Sequence, residues 1–219
     1  MKKEQDKVRP RPNLGQIAYE ELKDMILTGV LAPGERIVLD SLSQTLNLSV
    51  TPIRDALNKL EQEDLIVITP RTSHSVVKID AADAADILDL RLMLEMYALQ
   101  SVRGNLAAFP VQHFRERFAS ISQDENMRDF ILADNQFHAA ILAISPNQRL
   151  PRLYAYLQNL IQIISVQAMK TEGRIARAND EHLALLDAIA SQDVELAISR
   201  LKMHFSEMRS ALLLSLSMG

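Results

Sequence analysis

With 219 residues, 47% of them apolar and 24% charged, the chain has the make-up of a soluble globular protein with one large domain or two modest ones. It has no cysteine, which excludes disulfides and thiolate metal sites; no apolar run is long enough to span a bilayer, and the polar start MKKEQDKVRPRPN does not read as a signal peptide, so a cytoplasmic protein with no membrane partner is expected. The net charge of −4 gives no bulk attraction to nucleic acid, and any such binding must come from the local placement of cations.

Residues 1–13 contain two prolines and five Lys or Arg and are expected to form a flexible basic arm. A helix is predicted over 14–28, with Ala18, Leu22, Met25 and Ile26 as its stripe and Gly29 suited to the position after its C-terminus. Pro33-Gly34 is a turn pair. A short helix follows near 41–46, capped by Asp40 or Ser41, with Leu42 and Leu46 on one face and Asn47 as the left-handed residue that closes it. The third helix lies in SVTPIRDALNKLEQEDLI, 49–66. The period then changes: 65–69 and 75–79 are β-rich around a turn-like 70–74, which predicts a hairpin.

Proline is tolerated in the first turn of a helix, where the N–H groups have no helical partner. Pro52 therefore marks a helix start, with Ser49 or Thr51 as cap. Ile53, Ala56, Leu57 and Leu60 face inward, and Arg54 and Asn58 share the opposite side. Two short helices joined by a tight turn, with small polar groups and an arginine at the start of the second, suit a helix whose N-terminal end enters the DNA major groove. Arg54 would reach a guanine edge or a phosphate, and Ser49 or Thr51 would donate to phosphate oxygens. Arg71, at the hairpin tip, would sit on a wing beside the DNA backbone. Spacing alone equally fits a plain capped helix with a surface arginine.

From Tyr19 to Ile79 the chain resembles the winged-helix DNA-binding domain of GntR-family transcription regulators. The residues that carry the resemblance are Ile26 with Gly29, Leu31, Pro33-Gly34 and Arg36, then Leu42, Leu46, Ser49, Thr51-Pro52, Arg54 and Ala56-Leu57. They continue through Leu60, Glu63, Leu65 and Ile66, with Pro70 closing. The resemblance implies a winged helix-turn-helix over 14–79 with Arg36, Ser49, Thr51, Arg54 and Arg71 as DNA contacts. Two positions depart from the family pattern. Val50 stands where the family usually has Arg; it can touch a thymine methyl but cannot bind guanine. Thr72-Ser73-His74 stands where the wing usually carries a glycine. Residues 1–79 hold eleven basic and eleven acidic side chains, so affinity would rest on a few placed cations and the arm, with a moderate salt dependence.

Beyond Asp80 no convincing strand occurs. Helices are predicted over 81–103, 110–122, 127–144, 147–169, 174–190 and 193–216, an all-α bundle filling 80–219. In RDFILADNQFHAAILAI, 128–144, Phe130, Ile131, Phe137 and Ile141 make an apolar stripe. Asp134 falls in its centre, and His138, four residues on, falls on the same side. A lone carboxylate on a buried face is costly unless something compensates it. His182 lies amid Ile175, Leu185, Leu186 and Ile189, again on an apolar face. The break at 191–193 makes a tight helix hairpin, and His182 sits about as far before it as His204 sits after it. Antiparallel packing would bring the two imidazoles to one height. One Asp and three His meeting in the bundle would suit a divalent metal such as Zn, Ni or Mn, held by neutral imidazoles and a carboxylate. The same residues also fit a polar core in which Asp134 pairs with Arg or a protonated His. On the first helix of the bundle, Ile87, Leu90, Leu94 and Ala98 are predicted to face inward with Arg91 at the edge, where it either forks onto a carboxylate ligand or pairs with Glu95. His74 and His113 read as surface residues.

Residues 82–214 resemble the all-α ligand-binding domain of the FadR branch of GntR regulators. Its metal-binding members carry an Asp, a His four residues later and two more His on the last two helices; Asp134, His138, His182 and His204 match one by one, and Phe137-His138, Ile141-Leu142 and Asn147 also fit. Similar domains use an Arg on the first helix to hold ligand, which assigns that role to Arg91. The resemblance implies a homodimeric regulator, a repressor, that binds a palindromic operator and is modulated by a small organic acid at a divalent-metal site. Two rivals remain at this stage. One is a metal-dependent enzyme acting on a small carboxylate, with the Asp/His set activating water. The other is a regulator whose metal is purely structural. No general base stands beside the four candidate ligands and an enzyme would leave the DNA-binding half without a role, so no enzymatic activity is expected.

Overall fold

The computed structural model describes residues 13–69, 73–102, 105–121 and 127–217. The basic arm, Asn13 apart, and Arg71 with its neighbours Pro70 and Thr72 lie outside the described residues.

Helix α1 (Leu14–Leu27) starts at Asn13, whose side chain accepts from the Gln16 amide at 3.2 Å. It buries Ala18, Leu22 and Ile26 against α3 (Val50–Glu61), which buries Ile53, Ala56, Leu57 and Leu60. Between them α2 (Leu39–Leu46) begins two residues earlier than the sequence predicts. Val38, not Asp40 or Ser41, occupies its cap position and makes no side-chain bond, while Asn47 closes the helix with φ 51°. Ser49 holds the cap position of α3, yet its side chain makes no capping bond. Pro52 sits in the first turn, as its missing N–H allows.

The predicted hairpin is part of a three-stranded antiparallel sheet: β1 (Arg36–Ile37), β2 (Ile66–Thr69) and β3 (Ser73–Val76), in the order β1-β3-β2. β3 runs over 73–76 rather than 75–79. Val76 stands opposite Ile66 and both are buried; a one-residue slip would turn both outward. β1 is two residues long, too short for any period to reveal it.

The six helices predicted for the second half are present: α4 (Ala81–Ser101), α5 (Val111–Ala119), α6 (Met127–Ala143), α7 (Leu150–Met169), α8 (Arg174–Ala190) and α9 (Val194–Ser217). The Asp80 side chain caps α4 through the amides of Ala82 and Asp83. The inward face of α4 differs from the predicted one. It consists of Ala84, Leu88, Arg91, Glu95, Ala98 and Leu99, while Leu90 is 44% exposed. From Ile87 to Leu99 the helix carries apolar residues nearly all round, so periodicity could not select a face. Arg91 is therefore at the centre of the buried face, not at its edge.

The two halves are tied through α1, α6 and α7. Glu63, just past α3, accepts from Tyr19 Oη at 2.6 Å, from Lys23 Nζ at 2.5 Å and from Asn159 Nδ2 of α7 at 3.1 Å. Gln162 donates to the Leu27 carbonyl, and Arg128 pairs with Asp24 at 2.9 Å. Gly29 has φ 76°, and a Cβ there would stand 3.2 Å from Val166 Cγ1 of α7; conformation and close approach both call for glycine. Among the described residues no helix is long and apolar enough to cross a membrane.

Candidate functional site

The DNA-facing candidates converge. Arg36 of β1 and Val50, Arg54 and Asn58 of α3 line one groove of about 880 Å³ with Thr69, Ser73 and His74 of the sheet. Ser49, Thr51, Arg54 and Arg36 are exposed. Four of the five predicted contact residues thus lie at or beside the start of α3, and the fifth, Arg71, lies outside the described residues. His74 is half-buried in β3 and lines the groove, rather than being a bystander on the surface as read from the sequence; His113 is exposed. The groove also contains Asp40 and Val50, so its cationic character rests on the two arginines.

The bundle centre is built from three helices. α6 supplies Asp134 and His138 from one face, α8 supplies His182 and α9 supplies His204. All four are buried. The His182 and His204 rings are 4.6 Å apart between centroids, and His138 stands 5.4 and 5.2 Å from them. Asp134 Oδ1 lies 3.5 Å from His138 Nε2 and 3.3 Å from His182 Nε2, which are themselves 3.3 Å apart. One ligand-type atom from each of the four residues lies within 4.8 Å of the others, the only such group of four found among the described residues.

The outer partners of the imidazoles decide which nitrogen faces the centre. His138 Nδ1 meets Glu95 Oε2 at 2.6 Å and His204 Nδ1 meets Glu181 Oε2 at 2.7 Å. Each Nδ1–H donating to a carboxylate leaves the Nε2 lone pair inward. Both carboxylates are fixed in turn. Arg91 Nε donates to Glu95 at 2.9 Å, and Arg174 grips Glu181 with two bonds of 2.7 and 2.8 Å. His182 lacks such a carboxylate; its ring stacks on Phe118 at 4.6 Å and its Nδ1 has no hydrogen-bond partner. The sequence reading missed Glu95 as a histidine partner, and Glu181 and Arg174 altogether. The spacing of Arg91 and Glu95 was legible, but it pointed to a surface pair until burial was known.

Charge follows from this packing. Burial pushes His204 well below the ordinary histidine value, helped by His182 and His138. Burial also lowers His182 against the pull of Asp134. His138 is raised in spite of burial and Arg91, because Glu95 and Asp134 face it. Asp134 is held well below the carboxylate range despite burial, by His138, His182 and Arg91. Neutral His182 and His204 beside an ionised carboxylate, with a His138 that would release its inward proton to a cation, form a donor set for a cation. Metal–N and metal–O bonds of about 2.1 Å imply ligand–ligand edges of about 3.0–3.4 Å, close to the 3.3–3.5 Å spacings among Asp134, His138 and His182, while His204 lies within the 4.8 Å spread of the set and its Nε2 is buried with no protein partner. The residues fit a divalent metal.

Arg91 is fully buried. Besides Glu95 it lies 3.5 Å from Asp134 Oδ2, and its guanidinium stacks over the Phe205 ring at 5.2 Å. Nη1 and Nη2 have no hydrogen-bond partner.

A winged three-helix unit with an exposed arginine-bearing helix, joined to a bundle with a buried polar centre, is the build of a DNA-binding regulator with a sensory domain. The FCD domain family model matches residues 86–207, and the model of the bacterial regulatory proteins of the gntR family matches residues 14–76. The chain belongs to the GntR family of bacterial transcription regulators, in the branch that carries an FCD ligand-binding domain. It is a DNA-binding regulator and not an enzyme, which removes the first of the two rivals. It is 26% identical to the uncharacterized HTH-type transcriptional regulator YdhC of Bacillus subtilis over 90% of each chain. It is 24% identical to the HTH-type transcriptional repressor GlaR of Escherichia coli, over 85% of this chain and 90% of that one. The solved structure of E. coli McbR/YncC shares the fold, with a TM-score of 0.71 at 20% identity over 91% of this chain and 97% of that one.

Proposed function

We propose that this regulator is a metal-dependent sensor of a small organic acid, and that the acid changes its grip on operator DNA. The observation that carries this reading is the buried set of Asp134, His138, His182 and His204 with the Arg91 guanidinium, which pairs with Asp134 and whose Nη1 and Nη2 make no hydrogen bond, beside it. Zn, Ni or Mn would be held by the three Nε2 atoms and Asp134 Oδ1 and would supply Lewis-acid attraction for an oxygen ligand. Glu95 and Glu181 orient His138 and His204. Arg91, kept cationic by Glu95 and Asp134 against its burial, offers donors to a carboxylate.

A cytoplasmic repressor is the form we assign, in keeping with the repressor GlaR among its relatives. We assign residues 14–79 to DNA binding, with Arg36, Ser49, Thr51, Arg54 and Arg71 as contacts, and 80–219 to sensing and dimerisation. A homodimer on a palindrome places two α3 helices on successive half-sites. The outer side of α4, where Leu90, Met93 and Tyr97 are 44, 57 and 48% exposed, supports an α4-to-α4 contact, because a helix apolar on all sides belongs inside a packed assembly. The acid must favour one dimer geometry over the other to act at the operator.

The test is melting of the purified protein with a panel of small carboxylic acids, before and after metal stripping, followed by operator binding. An acid that raises the melting temperature only in metal-loaded protein and shifts operator affinity supports the reading. If stripping lowers stability and no acid moves either quantity, the metal is structural only.

A further inference from the structure

Along β3 the side chains alternate between the two faces of the sheet. Val76 stands opposite Ile66 on the inner face, where both are buried. His74, two residues earlier, takes the same face and stands opposite Ile37 of β1 and Ile68 of β2. An apolar side chain would continue that row. The imidazole is instead half-buried and lines the groove between the sheet and α3, to which α3 contributes Val50, Arg54 and Asn58. Among the described residues neither of its ring nitrogens has a hydrogen-bond or ion-pair partner. A polar group that the sheet holds in place and the protein leaves unbonded is free to meet a ligand.

The geometry of DNA says what this groove would hold. A helix in the major groove and a wing beside it straddle the sugar–phosphate strand that separates the major from the minor groove. That strand would run between α3 and the sheet, past His74. Besides His74 and Arg54, the lining offers Arg36, Thr69 and Ser73, residue types that bind phosphate, and one acid, Asp40, on α2. We propose that His74 is a phosphate contact of the DNA complex, the floor of a clamp on the backbone strand that passes between α3 and the wing. An imidazole carries one N–H when neutral and two when protonated, so it donates to a phosphate oxygen in either state. Residues 1–79 hold eleven basic and eleven acidic side chains, so the grip on the backbone depends on donors placed in this way. The proposal rests on the reading of α3 as the helix in the major groove.

The experiment uses a duplex that the wild-type protein selects from a random pool. Single methylphosphonates, each removing the charge of one phosphate, are placed in turn along one half-site. Affinity is measured for wild type, His74→Ala, His74→Gln and Arg54→Ala. Wild type should lose about threefold to tenfold at one phosphate of the strand between the grooves. His74→Ala should bind the unmodified duplex more weakly by a similar factor and be indifferent to that methylphosphonate. Arg54→Ala should also bind more weakly, yet remain sensitive to it. His74→Gln keeps an N–H donor and should recover part of the loss. If His74→Ala is weaker but as sensitive as wild type at every phosphate, His74 only packs the sheet and the clamp is overturned. If His74→Ala binds like wild type while Arg54→Ala does not, the clamp falls and α3 keeps its place in the major groove. If neither variant weakens binding, the clamp and the reading of α3 fall together.

Discussion

The two halves of this regulator place their polar residues in opposite ways. In the DNA-binding half every buried residue among those described is apolar, and the candidate contacts Arg36, Ser49, Thr51 and Arg54 stand on the surface. Every buried charged or polar residue among those described lies in the helical half, Arg91, Glu95, Asp134, His138, Arg174, His182 and His204 being some of them. A functional group on the surface keeps its water and costs the fold little. A functional group in the core loses its water, and its desolvation must be offset by partners. The stability of the helical half is therefore linked to whatever occupies its centre, while that of the DNA-binding half is not.

The contrast breaks most sharply at Arg174. This side chain is 1% exposed and holds Glu181, which holds His204. Arg174→Ala strands a carboxylate in the bundle and should cost about 3 kcal/mol, the lower end for breaking a buried pair because Glu181 keeps some exposure. Metal affinity should drop about tenfold to a hundredfold as His204 loses its orientation. Chemical denaturation and metal titration measure the two effects; a stability loss without an affinity loss would make Arg174 a packing residue only.

Arg54→Ala tests the other half. Operator affinity should fall by about 1–3 kcal/mol, with the melting temperature unchanged, because Arg54 is exposed. An equal grip on operator in a binding assay would remove α3 from the proposed contact.

The smallest effect sits between the halves. Glu63 is lowered from the ordinary glutamate value of 4.5 by hydrogen bonds from Lys23 and Tyr19, which outweigh its partial burial. A lowered carboxylate contributes stability above its unfolded pKa and loses it as pH falls through the folded one. The tie should therefore weaken on acidification below 4.5. Glu63→Gln should flatten that part of the melting profile by less than about 1 kcal/mol, since the group keeps part of its solvent exposure. An unchanged acid limb would show that Gln162, bonded to the Leu27 carbonyl, holds the halves together without that charge.

The sequence by itself determined where the helices lie, because apolar residues recur at helical spacing in them and the ends of the first three carry Gly29, Asn47 and Pro52. It also singled out Asp134, His138, His182 and His204, since charged or titratable side chains on an apolar stripe need a reason. It did not determine the buried face of α4, where Leu90 and Leu88 look alike and only packing against α6, α7 and α9 chose between them. It could not show β1, whose two residues have no period of their own and exist as a strand only by pairing with Ser75 and His74. Nor could it show that Glu95, Glu181 and Arg174 gather round the histidines. Those side chains come from α4 and α8, and their meeting with α6 and α9 depends on helix rotation and crossing, which are set by long-range contact and not by local pattern.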